Sequence, residues 1–136
     1  MRRLNQAVVM DAVAATVALA TPGHAQTPPA NVVTVYYTTP LENDPTRVVR
    51  LQSVAIPAGG GNSYHRHPGD QWAAIQEGEV TLTIKGQPPR VLKAGESVYI
   101  PRGTIHRNQN LTDKQARSID LNIVDKDKPL VEPVPD

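Results

Sequence analysis

Cysteine and phenylalanine are both missing from this 136-residue chain. Without cysteine there is no disulfide to staple an exported domain, and thiolate chemistry and iron–sulfur clusters are excluded. Stability must come from packing, with a bound metal or oligomerisation as further sources. Without phenylalanine the core must be built from Val, Ile, Leu and Ala. A helical repeat is lacking as well: beyond the N-terminal region no apolar 3.6-residue period persists over a window of about 11 residues. No Ser/His/Asp arrangement, phosphate-binding loop or nucleotide fingerprint is present.

The N-terminus reads as a secretory signal over residues 1–25. Arg2 and Arg3 form a short basic start, and an alanine- and valine-rich run follows from Ala7 to Ala20. Gly23-His24-Ala25 offers small residues for cleavage, which makes Gln26 the expected mature start. Asp11 places a charge in the apolar run, and the alternative is an anchor helix that stays attached. The run is shorter than the roughly 20 residues a membrane span needs. The expected location is periplasmic or secreted, with no membrane contact after cleavage. Removing the leader takes Lys plus Arg from 14 to 12 and Asp plus Glu from 13 to 12. The mature chain is then formally neutral, and no basic field remains to recruit nucleic acid or anionic lipid.

What remains is a series of short β-type runs closed by Gly and Pro. Asn31–Thr39 is rich in Val, Tyr and Thr, and Arg47–Ile56 ends at Pro57-Ala58-Gly59-Gly60-Gly61. Further runs are expected at Ser63–His67, Gln71–Gln76, Glu79–Lys85, Arg90–Lys93, Ser97–Ile100, Thr104–Asn108 and Gln115–Val124. Thirteen prolines suit an architecture made of turns. Many short strands with regular turn signals indicate an all-β sandwich or barrel.

The chemistry lies in three histidines. His24 leaves with the leader, and the other three all fall in two spaced motifs. The first is Gly59-x5-His65-x-His67-x3-Gln71-x6-Gly78. The second is Gly95-x5-Pro101-x-Gly103-x2-His106-x3-Asn110. Side chains alternate across a strand, so His65 and His67 share one face while Tyr64 and Arg66 point away. Pro68-Gly69 turns the chain and lets Gln71 return beside the imidazoles. Pro101-Arg102-Gly103 is a rigid bend that aims His106. Neutral imidazole is the commonest side-chain ligand of transition metals. A lone histidine is usually a surface or hydrogen-bonded residue, whereas the two spaced motifs together point to a metal site.

The paired motifs resemble those of the cupin superfamily from Gly59 to Asn110. The resemblance implies a small single-domain β-barrel (a double-stranded β-helix or jelly roll) with one divalent metal inside. The ion could be Fe, Mn, Ni, Cu or Zn. Residue by residue it implies His65, His67, Gln71 and His106 as ligand positions. Gly59, Gly78, Gly95, Pro101, Gly103 and Asn110 would shape the backbone. The cupin domain is then expected at 46–124, after an arm and first strand at 26–45 and before a tail at 125–136. Gln71 departs from the family, which usually has glutamate there. A neutral carbonyl oxygen beside three neutral imidazoles leaves the ion its full charge, which favours anionic ligands such as enolates, carboxylates and catecholates.

Other residues are weaker candidates. Asp70 adjoins Gln71, but alternation turns it away. Trp72 and Tyr99 suit core or rim packing, and Tyr64 a pocket mouth. Arg50 and Arg102 could steer an anion, and Glu77 and Glu79 flank a turn in solvent. Three functions stay open, the last of them a purely structural dimer with a vestigial pocket. One is a dioxygenase-like or other metal-dependent enzyme acting on a small enolisable or catechol-like compound. Another is a non-catalytic module that binds a metal or small ligand for sensing or storage. The resemblance also implies a homodimer, since cupin-like barrels often pair through an edge strand and uncovered edges need covering.

Overall fold

The computed structural model describes residues 27–135. The leader and Gln26 lie outside the described residues. Ten strands follow one another: β1 Val32–Leu41, β2 Asp44–Ile56, β3 His65–Arg66, β4 Gly69–Glu77, β5 Glu79–Ile84, β6 Arg90–Lys93, β7 Ser97–Ile100, β8 His106–Gln109, β9 Ala116–Asp125 and β10 Glu132–Pro133. They form two five-stranded antiparallel sheets, ordered β1-β2-β9-β4-β7 and β10-β3-β8-β5-β6. The expected all-β cupin architecture is the one observed. No helix among the described residues is long and apolar enough to cross a membrane.

Two stretches differ from the sequence expectation. The second strand begins earlier than Arg47, at Asp44, and so spans the boundary drawn at residue 45. The C-terminal stretch is not a bare tail: β10 pairs with β3, Glu132 against Arg66 and Pro133 against His65. That pairing is backed by an Arg66–Glu132 ion pair.

The apolar core is built as the composition demands. Ile56, Ile75, Val80, Leu82, Leu92, Ile100 and Ala116 form one buried cluster. It fills one end of the barrel. Toward the other end the inward positions become polar. Along β9 they read Ala116, Ser118, Asp120, Asn122 and Val124, all buried. Across from them β4 presents Gln71 opposite Asn122 and Ala73 opposite Asp120, while β2 presents Gln52 opposite Asp120.

The motif residues outside the histidines do shape the backbone. Asn110 is fully buried, and its side chain is saturated. Its Nδ2 donates to the carbonyls of Ile56 and Lys114, and its Oδ1 accepts from the backbone N–H and hydroxyl of Thr112. It thus pins the end of β2 to the loop before β9. Gly103 sits at φ 75° and its N–H donates to the carbonyl of His67, so the bend before His106 is tied to the first motif. Gly69 serves a different need. A Cβ there would lie 2.0 Å from the carbonyl oxygen of Ile123, so only glycine lets β4 lie this close to β9.

Candidate metal centre

His65 lies on β3, His67 just after it, and His106 opens β8, with His65 and His106 directly paired across the ladder. All three rings are buried, while Arg66 between the first two is exposed, as strand alternation requires. Ring centroids lie 4.4 to 5.3 Å apart. One nitrogen from each ring lies within 4.8 Å of the others.

Which nitrogens converge is fixed by backbone carbonyls. His65 Nδ1 lies 2.9 Å from Ser63 O, His106 Nδ1 2.9 Å from Thr104 O, and His67 Nδ1 2.7 Å from Leu130 O. A carbonyl can only accept, so each ring donates from Nδ1–H and keeps an Nε2 lone pair free. Nε2 of His67 and of His106 and Oε1 of Gln71 are buried without a hydrogen-bond partner among the described residues. Buried polar atoms are seldom left unpaired. Three imidazole nitrogens within 4.8 Å of one another, each ring with its proton held on the far side, suit a divalent transition ion. The residues present therefore fit such an ion. The usual outer partner of a ligating histidine, a carbonyl on the far nitrogen, is already in place at each ring.

Protonation favours the same state. Burial pushes all three rings below the ordinary imidazole range, His106 to about 4, against the opposing pull of the backbone carbonyls. At neutral pH they are neutral, the form that coordinates.

His65 and His67 open on a cavity of about 110 Å³. Gln71, Gln52, Ser118 and Asp120 line it together with His65 and His67. Leu130 and Val131 close it from the C-terminal stretch. Asp120 escaped the sequence reading. Its carboxyl is pushed up to about 6 by burial, only partly offset by the Ser118 hydroxyl.

The weaker candidates are placed outside the cavity or held elsewhere. Asp70 faces outward, where its Oδ1 accepts from the Arg102 backbone N–H and the Tyr99 hydroxyl. Arg102 is not free to steer an anion, because its guanidinium forks onto both carboxylate oxygens of Asp125 and holds that carboxyl down at about 2. Arg50 Nε donates to Gln52 Oε1. Trp72 and Tyr99 stack on each other, 5.1 Å apart, on the outer face. Tyr64 lines a shallow outer groove and carries Arg107 over its ring at 4.7 Å. Glu77 and Glu79 pair with Arg117 and Lys93 near the surface.

With this geometry the class of protein is defined, and similarity to known proteins agrees. The Cupin domain family matches residues 52–122, and the chain belongs to that family. Over 53 residues it is 38% identical to dimethylsulfoniopropionate lyase DddQ of Ruegeria pomeroyi, covering 39% of this chain and 26% of that protein. Over 109 residues it is 29% identical to oxalate oxidase GF-2.8 of Triticum aestivum, covering 74% of this chain and 49% of that protein. Among solved structures, a cupin domain from Bordetella pertussis aligns with a TM-score of 0.57 at 26% identity, over 72% of this chain and 97% of that one. The matches span about half or less of the length of these curated relatives.

Two predictions follow from the locked rings and the buried carboxyl. Deleting residues 129–136 removes the Leu130 carbonyl and β10, and should lower metal affinity about 10- to 100-fold. Competition with a chromophoric chelator reads this, and an unchanged affinity would rule out the Leu130 contact as a support of the site. The second concerns pH. Asp120 has a folded pKa near 6 against an ordinary value of 3.8. Its ionisation therefore disfavours the folded metal-free chain as pH rises through this range, and has no effect below it. Asp120→Asn should stabilise the metal-free protein by up to about 3 kcal/mol above pH 7, the gain vanishing by pH 4. Urea unfolding at both pH values measures it, and a pH-independent difference refutes the assignment.

Proposed function

We propose that this chain is an exported metal-binding cupin that acts as a metal-dependent enzyme on a small oxygenated compound of enolisable or catechol-like type. The observation that carries the reading is the convergence of carbonyl-locked, unprotonated imidazole nitrogens at the wall of a small polar cavity. His65, His67 and His106 would hold one divalent ion, with Gln71 Oε1 as the fourth protein donor. Fe, Mn, Ni, Cu and Zn all suit this donor set, and intrinsic affinity alone favours copper. When bound, the ion supplies Lewis-acid polarisation and a template for an oxygen-bearing substrate. The chain itself contributes the rest. Gln71 adds no negative charge of its own beside the ion. The apolar floor made by Val80, Leu92 and Ile100 excludes bulk water from the inner end of the cavity. Two relatives whose names describe a lyase and an oxidase support an enzymatic reading over a purely structural one.

A small-molecule partner suits the cavity, and a second copy of the chain suits the outer surface. Cross-strand partners Tyr37, Leu51, Leu121, Trp72 and Tyr99 form an apolar row across the outside of the first sheet. Tyr37, Trp72 and Tyr99 are exposed. An exposed apolar row of this kind marks a docking face. Light scattering is expected to give a dimer, and Trp72→Glu to give a monomer with unchanged metal content. A monomeric parent protein would remove the dimer from the reading.

The functional test uses the full chain, expressed with its leader and purified without a histidine tag. Intact mass should begin at Gln26, and elemental analysis should find about one divalent ion per chain. Gln71→Glu should tighten metal retention, because it adds a charged oxygen, and His106→Ala should abolish it. If neither change moves metal content, the ligand set is wrong. Turnover or oxygen uptake with diketones, catechols and 2-oxo acids then separates an enzyme from the non-catalytic binding module.

A further inference from the structure

The cavity that His65 and His67 line also holds a buried carboxyl, on β9 of the other sheet. Asp120 lies in the middle of β9, facing inward, with Gln52 on one side and Ala73 on the other. Only 7% of the residue is exposed. Its Oδ1 is buried without a hydrogen-bond partner, and none of the ion pairs among the described residues involves it. The charged or titratable groups nearest this wall are occupied. On β2, Arg50 is bound to Gln52, and across the cavity His65 and His67 donate to backbone carbonyls. On β4 the neighbours Gln71 and Ala73 carry no charge. Ala73 is small, and its lack of bulk leaves the carboxyl open to the cavity it lines. The Ser118 hydroxyl offsets only part of the cost of burying this carboxyl, and a buried carboxyl with an unpartnered oxygen and no counter-charge is kept mainly where it acts.

We propose that Asp120 is the proton-transferring residue of this cavity, acting on a small carbon acid or hydroxy compound held at the imidazole cluster. This rests on the functional reading above for the position of the substrate, and goes beyond it in assigning the reaction class. The step balances within the site. A carboxylate oxygen of Asp120 takes a proton from substrate carbon or oxygen, a new O–H bond forms, and the electron pair stays on the substrate. The same proton is then returned at a second substrate atom, which gives an isomerisation, or to a departing group, which gives an elimination. No oxidant is consumed, so the assignment favours lyase or isomerase chemistry over oxygen insertion. Burial also raises the proton affinity of this carboxyl, which improves its fit to proton transfer near neutral pH.

The test is hydrogen–deuterium exchange at the enolisable carbon of pyruvate, 2,4-pentanedione and glycolaldehyde in D2O, followed by proton NMR. The full-length protein, Asp120→Asn, Asp120→Glu and His106→Ala are each assayed with and without added metal, alongside metal content and thermal midpoint. The expected result is accelerated exchange of at least one probe by the parent protein. Asp120→Asn should lose about 100-fold of that rate with its metal content intact. Asp120→Glu should recover part of it, and the parent rate should rise with pH as the carboxyl ionises. If Asp120→Asn exchanges as fast as the parent, or if the parent exchanges none of the probes, the proposal is overturned. Parent protein that binds no metal yet exchanges through Asp120 sinks the metal reading alone, so the two failures are separable.

Discussion

Everything at this site depends on three hydrogen bonds from imidazole Nδ1–H to backbone carbonyls. They decide the tautomer, and the tautomer decides that the free lone pairs meet. Burial alone would not do this, because an unanchored buried imidazole can turn its proton either way. The acceptors are local in two cases: His65 and His106 each donate to the carbonyl two residues earlier. His67 instead binds Leu130, a carbonyl from the far end of the chain. The C-terminal stretch is therefore part of the site's construction, and β10 is the strand that brings it there.

That contact also marks where the sequence ceased to be readable. His-x-His and the later histidine were legible because strand alternation and two rigid bends leave few ways to arrange them. The turn glycines and Asn110 were legible for a similar reason, since each meets a local backbone demand. A carbonyl oxygen has no such signature, for every residue carries one. Nothing in Lys126 to Asp136 distinguishes a covering strand from a solvated tail until the second sheet offers β3 as an open edge.

Asp120 was hidden by a different effect. On β9, Ile119, Leu121 and Ile123 alternate with Ser118, Asp120 and Asn122. Ordinary binary patterning puts the apolar set inside and the polar set in water. The fold does the reverse. The polar set lines the barrel interior, and Leu121 joins the outer apolar row. Register explains the inversion: Ala116 must reach the core cluster, and a period of two then carries every second residue inward along the strand. A strand whose polar face is buried identifies either a functional interior or a covered exterior. Here the exposed apolar row on the outside and the cavity on the inside are opposite faces of the same sheet.

The placement of charge gives the site its chemical bias. Glutamate at position 71 would put a negative charge against the ion, where it would be neutralised and unavailable for proton transfer. Gln71 leaves that position neutral, and the nearest buried carboxyl lies one strand over and two residues along, on β9 beside Ala73. On the functional reading proposed here, this separation divides the labour. The imidazoles and the amide hold the ion with its charge undiminished, which favours an anionic or readily ionised substrate. The carboxyl, kept off the ion and out of water, retains a proton affinity matched to the substrate it faces. A glutamate at position 71 would add a charged oxygen at the ion and leave Asp120 in place on β9, so in this cavity the charge at the ion and the proton-transferring group are set by different residues.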